Sequence, residues 1–208
     1  MIRIITVERE FGSGGGVIAT KLAARLGWKL WDQLLTDEIA RRLECDRQEV
    51  AEREERTDPT YYRLLKAFLR GSFEGNVNLP RLRLVDADCV REMVERIVLE
   101  IANRGNAVIV GRGSAYYLAN REDVLHVFIY GSLDDKVRRL QAAGRSEQDA
   151  REWVETVDHD RAAFIKRYFN LEWPARQMFD LMINSGLGDR VAVATILDAA
   201  ALIAGQSK

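Results

Sequence analysis

The chain has 208 residues, enough for one sizeable hydrophobic core with a small inserted subdomain. Its 47% hydrophobic and 30% charged residues exclude global disorder. With 31 basic against 32 acidic residues the net charge is −1, which leaves no overall basic field for nucleic acid or an anionic membrane; any anion affinity must come from a local site.

In chain order, Ile2–Val7 is an apolar run that reads as a buried strand, and Val17–Leu26 reads as a helix stopped by Gly27. Lys29–Trp31 is a short strand. Residues Thr36–Arg104 are too many for a simple crossover and carry no strong strand, so they are expected to form a helical insertion. Within it, the dense mixed charges of Leu43–Asp58 suit a solvated helix with i,i+4 pairs. Asp58-Pro59 is a helix start, Gly71–Pro80 a loop, and Asp88–Arg104 a long helix ended by Gly105. Ala107–Val110 and Val124–Tyr130 are strands. Ser132 and Ser146 each precede a helix with an acid three residues on, a weaker form of the capping box. Asp180–Asn184 is the last strand, and Gly188-Asp189 leads into a helix at Arg190–Ala204. Apolar strands alternating with helices imply an α/β protein whose parallel sheet of about five strands is covered on both faces.

Cys45 and Cys89 have no metal-ligand spacing, and two histidines do not make a zinc centre. No apolar run approaches the roughly 20 residues of a membrane span. Arg3 and Glu8 in or beside the first strand do not suit a leader sequence. The expectation is a cytoplasmic protein with free thiols, acting on small molecules rather than on nucleic acid or membrane; the sequence leaves its oligomeric state open.

The segment Arg9-Glu10-Phe11-Gly12-Ser13-Gly14-Gly15-Gly16 lies between the first strand and the first helix. Four glycines in five residues exceed what a tight turn needs. They let backbone N–H groups turn toward an anion at a helix N-terminus. The phosphate-loop pattern G-x-x-x-x-G-K-[ST] nevertheless fails at its lysine and hydroxyl.

Residues Ile5–Asp32 resemble the start of a cytidylate kinase, and Arg9–Gly15 resembles the divergent cytidylate kinase-like family. Weaker similarity runs through Val108–Gly113, Val127–Tyr130 and Asp158–Arg167. The resemblance implies a P-loop NTPase fold forming one domain over 1–208. In it, 36–104 would be an acceptor-binding insertion and about 144–176 a lid. It implies ATP as donor, Mg²⁺, and CMP or dCMP as acceptor. Gly12, Ser13, Gly14, Gly15, Gly16 and Val17 would hold donor phosphates, and Arg138, with its neighbour Arg139 on the helix after the fourth strand, would pack near the adenine. Arg112 would hold the acceptor phosphate; Asp32, with Arg41 nearby, could contact the acceptor's phosphate or base; Arg161 or Arg167 would bring charge to the transferring group.

The departures fall on the same apparatus. The loop lysine falls on Gly15, the magnesium-binding hydroxyls on Gly16 and Val17, and a third-strand acid on Val110. Arg9 could bring a guanidinium to phosphate or pair with Glu10; Glu8 and Glu10 could hold the metal. Arg161 and Arg167 are six residues apart, about 240° net around a helix, so they cannot share a face unless the helix breaks. His159 is expected on a helix surface. Phe164, Tyr168, Phe169 and Trp173 are expected to pack as core or lid. A nucleotide-binding regulator that has lost the chemistry, and a kinase for another small acceptor, are the alternative readings.

Overall fold

The computed structural model describes residues 1–45 and 87–206. The expectations for Asp58-Pro59, Gly71–Pro80 and nearly all of Leu43–Asp58 lie outside the described residues, as do the side chains of Cys45 and Cys89. The described elements run β1 (Ile4–Arg9), α1 (Gly15–Leu26), β2 (Lys29–Trp31), α2 (Gln33–Cys45) and α3 (Ala87–Arg104). They continue with β3 (Ala107–Val110), α4 (Ser114–Tyr117), β4 (Val124–Tyr130), α5 (Leu133–Ala142), α6 (Glu147–Phe169), β5 (Leu181–Asn184) and α7 (Asp189–Gln206).

Five strands form one sheet in the order β2-β3-β1-β4-β5, and every pair is parallel. This is the architecture that apolar strands separated by helices imply. Alternation sorts the strands between two cores. Ile5, Val7, Val108, Val110, Val127 and Ile129 pack with α1 and α7, whereas Ile4, Ala107, Ile109 and Val124 pack with α2, α3 and α6. Both faces are buried, so the strands read as continuous apolar runs. Each fully buried Ile, Leu or Phe contributes about 1.5–3 kcal/mol.

β1 begins at Ile4 rather than Ile2 and runs on to Arg9, because Glu8 and Arg9 pair with Phe128 and Ile129 of the longer β4. That extension carries two charged residues to the carboxyl edge of the central strand. The sheet's order reverses at β1, whose neighbours are β3 and β4. Ligands of open α/β sheets bind at such a reversal, outside the carboxyl ends of the strands.

Local signals hold where they were read. The Ser132 and Ser146 hydroxyls accept the N–H groups of Asp135 and Asp149. No described helix is long and apolar enough to cross a membrane.

Candidate functional site

The glycine loop leaves β1 at Glu10 and enters α1 at Gly15. Gly14 has φ +80°, in the left-handed region, and its missing side chain leaves room for the Arg139 guanidinium reaching across from α5. The Arg139 guanidinium donates to the Ser185 carbonyl (3.2 Å). Three loop amides are already engaged: Glu10 N–H donates to the Ile129 carbonyl at 3.0 Å, Ser13 N–H to the Glu10 carbonyl at 3.3 Å, and Phe11 N–H to Asp158 Oδ1 at 2.8 Å. The amides of Gly12 and Gly14–Gly16 remain the candidates for phosphate.

Beside the loop, at the carboxyl ends of β1 and β3, Glu8, Arg9, Arg112, Gly113 and Arg161 line a small cleft of about 20 Å³; Ile165 and Trp173 form its apolar wall. The three arginines are almost wholly buried, at 4%, 1% and 8% exposure. Arg9 is therefore not a surface ion pair. Burial pushes Arg112 down to about 10, with Asp32 opposing and the Arg9 charge adding to the fall. Burial pushes Arg161 down to about 10 as well, again with Arg9 adding. Both stay charged at neutral pH and repel the same neighbour, so a bound anion would relieve the crowding. Burial raises the Glu8 carboxyl above its ordinary value, opposed by Arg9, Arg161 and Arg112.

Arg112 is held tightly. Its Nη1 donates to Asp32 Oδ1 (3.1 Å) and to the Val110 carbonyl (3.2 Å), and its Nη2 donates to Thr36 Oγ1. Gly111, Arg112 and Gly113 all have positive φ, an unusual conformation for the arginine that its fixed side chain helps to hold. Asp32 thus meets Arg112 and Thr36 joins them, and the sequence reading foresaw neither contact.

α6 is tied to the loop entrance. Asp158 Oδ1 accepts from Phe11 N–H and from Arg161 Nη1 (3.1 Å), while Arg161 Nη1 also donates to the Arg9 carbonyl at 2.9 Å. From α5, the buried Lys136 reaches Glu10 Oε2 at 3.0 Å and Asp158 Oδ2 at 3.7 Å. Burial raises Asp158, with Arg161, the Phe11 N–H and Lys136 opposing.

The unbroken α6 places Arg161 in the cleft and Arg167 on its exposed side, over the Tyr168 ring. His159 is exposed, Phe164 is fully buried, and Tyr168, Phe169 and Trp173 pack on the core, as expected. Two other arginines lie elsewhere than expected. Arg41 is exposed and pairs with Glu38, one turn back on α2. Arg138 is exposed and pairs with Asp135, because Val137 and Leu140 turn inward; its neighbour Arg139 faces the loop. Lys136 and Thr36 had no place in the sequence reading. For Lys136 the available signal was helical phase, four residues before the buried Leu140.

Magnesium needs oxygen donors, and the described residues contain no group of three or more His, Cys, Asp or Glu placed to hold a metal. Glu8 Oε1 is buried and without a hydrogen-bond partner among the described residues, so it fits as one ligand of an ion carried by nucleotide phosphates. Glu10 fits less well, since its Oε2 accepts from Lys136 and from Gly131 N–H (3.2 Å). The Ser13 hydroxyl is buried and donates to the Glu10 carbonyl.

The model of the cytidylate kinase-like family matches residues 4–187. This chain belongs to the cytidylate kinase-like family. A cytidylate kinase of Ignicoccus hospitalis is 28% identical over 105 residues, a stretch that spans 50% of this chain and 60% of that protein's length. Among solved structures, an uncharacterized protein from Eubacterium ventriosum has a TM-score of 0.68 at 22% identity, covering 96% of this chain and 98% of that one. A shikimate kinase from Bacteroides thetaiotaomicron has a TM-score of 0.54 at 14% identity, covering 96% and 98%. A shikimate kinase from Acinetobacter baumannii, in complex with shikimate, has a TM-score of 0.52 at 16% identity, covering 100% and 97%. These likenesses are of fold: the chain shares the architecture of the two shikimate kinases.

Proposed function

We propose that this chain transfers the γ-phosphoryl group of ATP to a nucleoside monophosphate, CMP or dCMP, in the cytoplasm. The observation that carries the reading is the meeting of Arg9, Arg112 and Arg161 in one buried cleft beside a glycine loop, at the carboxyl edge of the sheet. The remaining loop amides, of Gly12 and Gly14–Gly16, would hold donor phosphates, with Arg139 packed over Gly14. Arg9 and Arg161 would face the charge that develops in transfer, and Arg112 with Asp32 would form the acceptor side. An acceptor phosphate oxygen attacks the γ-phosphorus in line as the bond to the β–γ bridging oxygen breaks, giving ADP and the nucleoside diphosphate. Positioning and electrostatics suffice, with no protein nucleophile. Glu8 would hold Mg²⁺ directly or through water, and the ion would supply neutralisation of phosphate charge. Residues 36–104 would contribute the acceptor-binding insertion and about 144–176 the lid. Arg41, Arg138 and Arg167, exposed and outside the cleft lining, hold no part in this reading.

The test is ADP formation by purified protein with Mg²⁺-ATP and a panel of monophosphates. Turnover with CMP or dCMP above all others supports the reading. ATP binding with no turnover on any acceptor would sink it in favour of a nucleotide-binding regulator. A specific observation favours that second reading: Arg112 Nη1 and Nη2 are already engaged by Asp32, Thr36 and the Val110 carbonyl, and only Nε is without a partner among the described residues. Reaction of another small acceptor while CMP stays inert would redirect the assignment to a different kinase.

A further inference from the structure

We infer that Arg9 and Gly15 are two halves of one exchange: the phosphate-facing cation that a glycine loop carries as a lysine is supplied here from the end of β1, through space that Gly15 and Gly111 leave open. The inference deepens the nucleotide-binding reading and rests on it. A Cβ built on Gly15 would stand 2.7 Å from Arg9 Cβ and 3.0 Å from its Cγ, closer than real Cβ atoms come. The obstacle is the root of the arginine side chain, which cannot swing aside as a flexible tip would. At the far end, a Cβ on Gly111 would coincide with Arg9 Nη1. The arginine therefore starts beside residue 15 and ends beside the carboxyl end of β3, in the cleft shared with Glu8, Arg112 and Arg161. A side chain at 15 and an arginine at 9 exclude each other.

The choice of arginine has its own reason. Arg9 is 4% exposed and stands near two further arginines. Desolvation and like charge strip the proton from a buried lysine far more readily than from a guanidinium. A cation delivered by this buried route must be one that keeps its charge. The ligand it suits is the β- and γ-phosphate portion of a nucleoside triphosphate, gripped bidentately.

The experiment measures ATP and AMP binding by calorimetry, with thermal unfolding recorded for every variant. Arg9→Met, which keeps the stem and removes the charge, should weaken ATP binding roughly tenfold to a hundredfold, while AMP binding stays unchanged. Gly15→Lys alone should lose ATP binding. Arg9→Gly/Gly15→Lys should recover to within about tenfold of the unaltered chain. Arg9→Ala/Gly15→Lys should not, because alanine retains the Cβ that collides. Unchanged ATP affinity in Arg9→Met would overturn the inference. So would a glycine double variant no better than Gly15→Lys, and that comparison decides alone if Arg9→Met does not fold. Failure of the unaltered chain to bind ATP would instead overturn the nucleotide reading itself.

Discussion

The glycine loop and the end of β3 each bring an arginine to the same edge of the sheet, and they hold it by opposite means. Arg9 follows a path defined by absent side chains, those of Gly15 and Gly111. Arg112 is gripped by present ones, with Asp32, Thr36 and a backbone carbonyl taking its guanidinium nitrogens Nη1 and Nη2. The room left by two glycines fixes where the Arg9 side chain runs and brings its guanidinium to the cleft. Arg112, placed by attraction, acts first as a joint, here between β3 and the start of α2. Equally buried arginines in one cleft are thus placed by different means, one by the room left for its side chain and the other by the groups that bind its guanidinium.

Arg112→Ala should break this contrast most visibly. It removes the ion-pair partner of the buried Asp32 carboxylate, and losing one partner of a buried pair costs about 3–5 kcal/mol. Urea unfolding should show that loss, and a change below about 1 kcal/mol would mean that Arg112 is no joint. Asp158→Ala comes next. It removes the acceptor for Phe11 N–H and a partner of Arg161, and should cost about 1.5–3 kcal/mol in the same measurement. Asp158→Asn, which can still accept the Phe11 N–H, should recover part of the difference.

Gly14→Ala sharpens the account of placement by exclusion. Its φ of +80° strains any side chain by about 1–2 kcal/mol, and the Cβ must also displace Arg139. Gly27→Ala is the control, with φ +66° and nothing within 4 Å of the new atom. The excess loss in Gly14→Ala, read from paired unfolding curves, measures the Arg139 contact. Equal losses would show that Arg139 moves aside freely.

The smallest expected effect lies on the surface of α2, where hydrogen bonds from Arg41 and Arg42 pull Glu38 down from 4.5 to about 2. The folded value lies below the unfolded one, so this stabilisation is whole above about pH 4.5 and fades as pH falls toward 2. The pair is largely solvated, which limits it to under about 1 kcal/mol. Glu38→Gln should therefore differ slightly from the unaltered chain at pH 6 and not at pH 2. Burial shifts Glu8 and Asp158 the other way, so what they contribute is whole below the ordinary carboxylate range and declines as pH rises through their raised values.

Much of the frame was legible because it depends on neighbours in sequence. Lys29–Trp31, Ala107–Val110 and Val124–Tyr130 are strands at the expected residues, and Ser132 and Ser146 cap as their spacing requires. Which arginine of α6 faces inward was also within reach. Val154, Val157, Phe164 and Ile165 form a buried stripe on which 161 falls and 167 does not. Helical phase would likewise have preferred Arg139 to Arg138 had Leu140 and Val137 been used to set the buried side of α5. Other features had no local trace. Nothing in the spacing of Phe11 and Asp158, 147 residues apart, announces that one donates to the other. The shared use of space by Arg9, Gly15 and Gly111 is likewise a property of three dimensions, and composition records only that glycines are present.

The bond from Phe11 N–H to Asp158 also bears on how the protein breathes. An amide at the mouth of a glycine-rich turn ordinarily trades its hydrogen with solvent through small local fluctuations. This one donates to a carboxylate on a 23-residue helix, which Ala150, Val154 and Val157 pack against the same Phe11 ring. It can reach water only when the helix lifts, so its exchange rate would track the opening of α6 rather than that of the turn. A single backbone hydrogen near the start of the chain becomes a gauge of motion in a helix near its end.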